Sequence, residues 1–160
     1  DFSTIYSVHV NNPEQFGVIE FNKNGKISSI VEKPIKAKSN RIVSGLYFYP
    51  NNVINMSKNL KPSKRGELEI TEINNKFLKI GKIKVVNLES SFFWSDTGTY
   101  DSLIRASQYF KDYELVHKKK VACIEEIALE KSLINKDKYL KIAESMNESS
   151  YGKYLFNINK

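Results

Sequence analysis

Three short stretches carry side chains whose types and spacing can do chemistry. The first is Glu32-Lys33-Pro34. Adjacent strand residues point to opposite faces, and Pro34 breaks that alternation, so Glu32 and Lys33 can both reach one cleft at a strand end. A carboxylate accepts hydrogen bonds from sugar hydroxyls, and an ammonium meets phosphate as a point charge. The same pair also reads as a solvated ion pair. The second stretch is Arg65-Gly66-Glu67-Leu68-Glu69-Ile70-Thr71, led in by Pro62-Ser63-Lys64. It sets Arg65 and Glu67 at the mouth of a helix. Arg65 can grip a phosphate through two parallel donors, while Glu67 and Glu69 equally suit the positive end of a helix dipole. The third, Phe92 to Thr99, runs from an aromatic strand end through the lone carboxylate of Asp96 into a helix. Ligands of α/β sheets bind at the carboxyl ends of strands. Asp96 can ligate Mg²⁺, which takes one or two carboxylates beside substrate phosphates, or it can cap the helix.

The elements that position these stretches follow from periodicity. Residues 3–10 alternate as a strand, and Asn11-Asn12-Pro13 turns the chain. Residues 17–21 and 26–32 form a hairpin across Asn24-Gly25, a favoured pair for positive φ, and Pro34 ends the second strand. Residues 41–49 are a strand rich in β-formers. Pro50 opens a short helix with Val53, Ile54 and Met56 inward. Ile70, Ile73, Phe77 and Ile80 mark a helix over 69–80, closed by Gly81 at C′. A strand over 82–88 follows. Next comes a helix over 99–113, capped by Thr99, with Tyr100, Leu103, Ile104 and Phe110 as its stripe. Helices are expected over 125–132, 136–146 and 151–156. The class is α/β with a mixed sheet and a helical tail over about 121–160.

Composition narrows the partners. The chain has 160 residues, enough for one domain by length alone, with 41% hydrophobic and 27% charged residues, which argues against disorder and coiled coil. No apolar run reaches membrane-spanning length. The single cysteine, Cys123, cannot form an intramolecular disulfide, which suits a reducing cytoplasm. The net charge of +7 is mostly lysine interleaved with apolar or acidic residues. That pattern is a solvated surface rather than a nucleic-acid footprint. The first residues lack the regions of a signal peptide and there is no initiator Met, so the chain is expected to begin inside something longer.

In order, the chain reads Phe16 to Phe21 (Phe-Gly-Val-Ile-Glu-Phe), Glu32-Lys33-Pro34, Gly45 to Tyr49 (Gly-Leu-Tyr-Phe-Tyr), Lys61 to Thr71 and Trp94 to Thr99, then Glu125 to Ala128 and Tyr151 to Leu155. This ordered series resembles the glucose-1-phosphate thymidylyltransferases over essentially all 160 residues. The resemblance implies a Rossmann-like nucleotide-diphospho-sugar transferase fold, of which this is the C-terminal portion. It implies that glucose-1-phosphate attacks the α-phosphorus of dTTP, giving dTDP-glucose and pyrophosphate with Mg²⁺ assisting. By that similarity Gly17 offers its backbone to the sugar, and Glu32 and the main chain of Val43 hold hydroxyls. Lys33 binds the sugar phosphate, Arg65 assists it, Tyr47 lines the pocket, and Asp96 is one of two metal carboxylates. A homotetramer is implied as well.

The family's loop Gly-x-x-Gly-Thr-Arg-Leu-x-Pro does not occur in the sequence, and the partner of Asp96 is missing. The chain is therefore expected to carry residues 1–160 of a sugar-phosphate half, without the nucleotide-binding part, and to be inactive alone. A non-catalytic sugar-phosphate-binding or assembly module, or a sister uridylyl- or cytidylyltransferase, are the competing readings. Relatives carry a second, regulatory nucleotide site with arginines. Ser90 and Glu130 stand where those arginines are expected, which implies weak nucleotide binding there unless Lys131 or a neighbour compensates.

Overall fold

The computed structural model describes residues 1–158. They form two compact units, Asp1–Trp94 and a second beginning at Ser95.

The first unit is built on five strands: β1 (Ser3–His9), β2 (Gly17–Phe21), β3 (Ile27–Glu32), β4 (Arg41–Phe48) and β5 (Ile83–Asn87). Their order in the sheet is β3-β2-β4-β1-β5. β1 runs parallel to β5 and antiparallel to β4, and β2 is antiparallel to both β3 and β4, so the sheet is mixed as the sequence implies. The β2–β3 hairpin closes as expected. Gly25 takes φ +72°, and the Asn22 carboxamide oxygen accepts from the backbone N–H groups of Asn24 (3.0 Å) and Lys26 (2.9 Å). β4 is bulged. Ile5 pairs with Tyr47 but Ser7 pairs with Val43, so Ser44 to Leu46 are partly out of register, and Gly45 at φ +89° absorbs the bend.

Alternation splits the strand residues into two clusters. Ile5, Ile19, Ile30 and Val43 form one; Val8, Val18 and Ile42 form the other, with Phe16 and Trp94 packed beside them. Two helices belong to this unit, α1 (Val53–Lys58) and α2 (Ile70–Lys79). Asn75 of α2 ties the helix to the edge strand β3. Its side chain accepts from Ile30 N–H (3.0 Å) and donates to Ile30 C=O (2.7 Å), so it occupies the place of a neighbouring strand.

The expected inner faces need correcting. On α2 the buried residues are Thr71, Ile73, Asn74 and Phe77, while Ile70 and Ile80 are exposed. Polar Thr71 and Asn74 find partners inside: Thr71 donates to Glu32, and Tyr49 Oη donates to Asn74 Oδ1 (2.6 Å), although Asn74 Nδ2 is buried with no hydrogen-bond partner among the described residues. On α1, Ile54 is exposed. The chain between β1 and β2 contains a 3-10 turn, Pro13–Gln15, beyond the simple reversal expected.

The second unit is helical: α3 (Tyr100–His117), α4 (Ile124–Glu130), α5 (Lys136–Ser145) and α6 (Ser150–Ile158). α3 runs four residues past the expected end, to His117, and its C-cap Lys118 lies in the left-handed region at φ +53°. Its buried residues are Ser102 and Ala106; Tyr100, Leu103, Ile104 and Phe110 are exposed, contrary to the expected stripe. The core here is Cys123, Tyr139, Ala143 and Leu155. Two tyrosines of α6 fasten the start of α4, with Tyr151 Oη donating to Glu125 and Tyr154 Oη donating to Glu126 (2.9 Å). Gly152 permits this packing, since a Cβ there would fall 2.0 Å from the Met146 carbonyl oxygen.

Candidate functional site

The site begins where the two strands of the hairpin meet. Gly17 opens β2 and is the register partner of Glu32, the last residue of β3. A Cβ on Gly17 would stand 3.2 Å from both Glu32 Oε2 and Thr71 Oγ1. The missing side chain therefore lets the carboxylate and the hydroxyl close over the strand. Thr71, in the first turn of α2 and almost fully buried, donates to Glu32 Oε2 at 2.5 Å. That bond fixes one carboxylate oxygen and leaves Oε1 directed toward Arg65, whose Nη1 is 3.9 Å away.

Arg65 is held by the loop before α2. Ser63 starts a turn closed by Gly66 N–H to Ser63 C=O (2.9 Å), with Gly66 at φ +79°. Ser63 Oγ accepts from Arg65 N–H (3.1 Å) and donates to Glu69 Oε1 (2.9 Å). The guanidinium meets Glu69 at 3.4 Å and Glu67 at 2.9 Å. Beside it lies a pocket of about 380 Å³ whose polar lining includes Glu32, Ser63, Glu69, Thr71 and Asn75.

Tyr47 approaches the same carboxylate. Burial, and then the charge of Glu32, push its phenol above the usual tyrosine range. Its ring stacks on Tyr49 at 5.8 Å, and Tyr49 stacks on Phe77 of α2 at 5.6 Å. Burial pushes the Tyr49 phenol up more strongly, so it stays a neutral donor to Asn74. An aromatic column thus connects the sheet to the helix that carries Thr71.

Of the residues proposed from sequence, Gly17, Glu32, Tyr47 and Arg65 come together. Lys33 follows Glu32 directly and is exposed. Its own φ of +41° breaks the alternation, and its N–H donates to Phe16 C=O at 3.0 Å. A left-handed conformation in a non-glycine residue costs about 1–2 kcal/mol, and such strain concentrates at functional positions. Among the described residues no carboxylate pairs with the Lys33 ammonium. Val43 buries its side chain in the core, so only its main chain can serve a ligand.

Asp96 belongs to the second unit. Its carboxylate is exposed and folds back over Gly98, where a Cβ would meet Oδ2 at 3.0 Å. It does not cap α3. Thr99 does so, in a reciprocal capping box with Ser102. Among the described residues no side chain pairs with this carboxylate, and no group of three or more His, Cys, Asp or Glu gathers into a metal cluster. A single free carboxylate fits the half-share that Mg²⁺ asks of a protein.

Sequence reasoning assigned no site role to Thr71 or Ser63, and it read Glu69 only as a complement to the helix dipole. The available signal was a second, polar row on α2: Thr71, Asn74 and Asn75 recur at helical spacing beside the apolar one. Elsewhere, Ser90 lines a cavity of about 440 Å³ with His9, Arg41 and Trp94. Glu130 sits 4.0 Å from Lys119, which is 3.5 Å from Glu126.

The family described as Nucleotidyl transferase matches residues 2–112, more than half of the chain. The chain belongs to the nucleotidyl transferase family. Over 158 residues it is 41% identical to a glucose-1-phosphate thymidylyltransferase of Neisseria meningitidis serogroup A, covering 99% of this chain and 55% of that protein. The corresponding protein of Mycolicibacterium smegmatis is 43% identical over 154 residues, 96% of this chain and 54% of that protein. Among solved structures, a Bacillus anthracis protein assigned as a glucose-1-phosphate thymidylyltransferase, in complex with a sucrose, is 41% identical. It aligns with a TM-score of 0.60 over 68% of this chain and 43% of that chain. A UDP-glucose pyrophosphorylase complexed with UDP-glucose is 27% identical, with a TM-score of 0.59 over 70% of this chain and 45% of that one. The chain spans about half the length of the curated relatives it matches.

Proposed function

We propose that this chain is the sugar-phosphate half of a glucose-1-phosphate thymidylyltransferase, which makes dTDP-glucose and pyrophosphate from dTTP and glucose-1-phosphate. The observation that carries this reading is the Gly17–Glu32–Thr71 cradle with Arg65 beside it. A fixed carboxylate oxygen suits sugar hydroxyls, and a guanidinium suits the phosphate on the sugar. The close relatives named above are thymidylyltransferases.

In the proposed reaction a sugar-phosphate oxygen attacks the α-phosphorus of dTTP and pyrophosphate leaves. The protein's share is positioning and charge neutralisation. Glu32 and the Val43 main chain hold hydroxyls, with Gly17 giving the sugar close access to backbone. Lys33 and Arg65 neutralise and orient the attacking phosphate, and Tyr47 walls the pocket. Asp96 would hold Mg²⁺ together with substrate phosphates and water; when bound, the ion neutralises charge on the reacting phosphates. A second carboxylate and the nucleotide-binding loop would come from sequence outside residues 1–160. Assembly as a homotetramer in the cytoplasm belongs to the same reading. Among the described residues no helix is long and apolar enough to cross a membrane.

A uridylyl-transferring sister enzyme is the second reading, supported by the UDP-glucose pyrophosphorylase neighbour. The test is complementation. The chain alone should release no pyrophosphate from dTTP and glucose-1-phosphate. Adding a nucleotide-binding half from a relative, in trans or fused, should restore release. Turnover by the 160-residue chain alone would refute the incomplete-site reading, and preference for UTP after complementation would favour the sister enzyme.

A further inference from the structure

Arg65 faces three carboxylates, more than one guanidinium needs, and they differ in how they are held. Glu32 is anchored by Thr71, and Glu69 by Ser63. Their side chains are 24% and 16% exposed. The Glu67 side chain is 60% exposed and has no partner but Arg65 among the described residues, yet it makes the shortest of the three contacts, 2.9 Å to Nη2. Gly66, at φ +79°, separates the two partners and lets the chain bring them face to face.

From this geometry we infer that Glu67 is an exchangeable counter-ion that occupies Arg65 until a sugar phosphate takes its place. The inference rests on the reading of this chain as a sugar-phosphate site and adds a specificity element to it. A phosphate dianion and Glu67 compete for the same donors at Nη2, because Nη1 is kept by the anchored Glu69 at 3.4 Å, with the Glu32 carboxylate 3.9 Å away. The Glu69 contact and the Ser63 turn hold Arg65 in position throughout the exchange, so only the exposed carboxylate swings away. Being solvated, Glu67 leaves at little cost. Neutral sugars cannot displace it, so the device favours phosphorylated ligands over free sugars.

The test is an NMR titration of the chain with glucose-1-phosphate, and with glucose as the neutral control, at neutral pH. Glu67→Gln should tighten glucose-1-phosphate binding roughly two- to fivefold, the size of one exposed ion pair, and leave glucose binding unchanged. Glu67→Asp, which keeps the charge, should stay near the wild type. In an Arg65→Met background the gain should vanish. Unchanged or weaker binding by Glu67→Gln would overturn the inference, with the site intact. An equal gain without Arg65 would also overturn it, showing general repulsion instead of exchange. Absence of glucose-1-phosphate binding in the wild type and every variant would refute the sugar-phosphate reading itself, and the inference with it.

Discussion

Thr71→Val removes one hydroxyl from the candidate site and almost no volume. Thr71 is 6% exposed and its single hydrogen bond to a side chain goes to Glu32 Oε2 at 2.5 Å. A hydrogen bond to an ionised group is worth about 1.5–3 kcal/mol. The Glu32 side chain is 24% exposed, so water can replace part of the lost donor, and Arg65 at 3.9 Å is too far to replace the rest. The loss of stability should therefore sit at the low end, about 1.5 kcal/mol. Ligand binding should suffer comparably. A glutamate freed to sample its rotamers must be reordered on binding, at up to about 1.5–2 kcal/mol, which corresponds to at most roughly ten- to thirtyfold in affinity. Urea unfolding, followed by a probe in the β1–β5 unit, measures the first effect, and a glucose-1-phosphate titration measures the second. Thr71→Ser keeps the hydroxyl and should bind nearly as the wild type does. Thr71→Val binding within twofold of the wild type, in a folded protein, would refute the idea that Thr71 orients Glu32.

In the complemented enzyme, Asp96→Asn should lower turnover by on the order of 10²-fold or more. It should leave the melting of α3 unchanged, because Thr99 and Ser102 cap that helix; the reverse pattern would return Asp96 to a structural role. Nucleotide binding beyond the catalytic site should be weak, because Ser90 and Glu130 each offer no cation where the resemblance implies arginines, so calorimetry should find one tight nucleotide site per chain, and two would contradict this. Burial, with Glu126 accepting its proton, pushes the Tyr154 phenol up to about 12. This lies above the ordinary value of about 10, so the stability it contributes is full below pH ~10 and lost as pH rises through about 12. Alkaline unfolding read by helical circular dichroism should be less steep in Tyr154→Phe, and an identical profile would contradict the assignment.

Much of the frame was legible because it depends on local chemistry. The Asn24-Gly25 turn, the strand pattern before Pro34, the Thr99 cap and the Gly81 stop act through neighbours within a few residues. The inner face of α2 was not legible from its isoleucines. Which positions face inward was decided by two remote residues, Glu32 and Tyr49, whose hydrogen bonds brought Thr71 and Asn74 inside in place of Ile70. The stripe of α3 failed for a related reason: periodicity marks an apolar row but not whether anything covers it. At the site, residue types pointed to Glu32, Lys33 and Arg65. The strain at Lys33 and the threonine that fixes Glu32 depend on how β2, β3 and α2 meet, which no single motif encodes.

The most direct measurement is a residue-resolved titration of the chain with two ligands. Glucose-1-phosphate should perturb Gly17, Glu32, Lys33, Tyr47 and Arg65 and saturate, while dTTP without a complementary half should perturb none of them. Saturable dTTP binding with no response to glucose-1-phosphate would contradict the account.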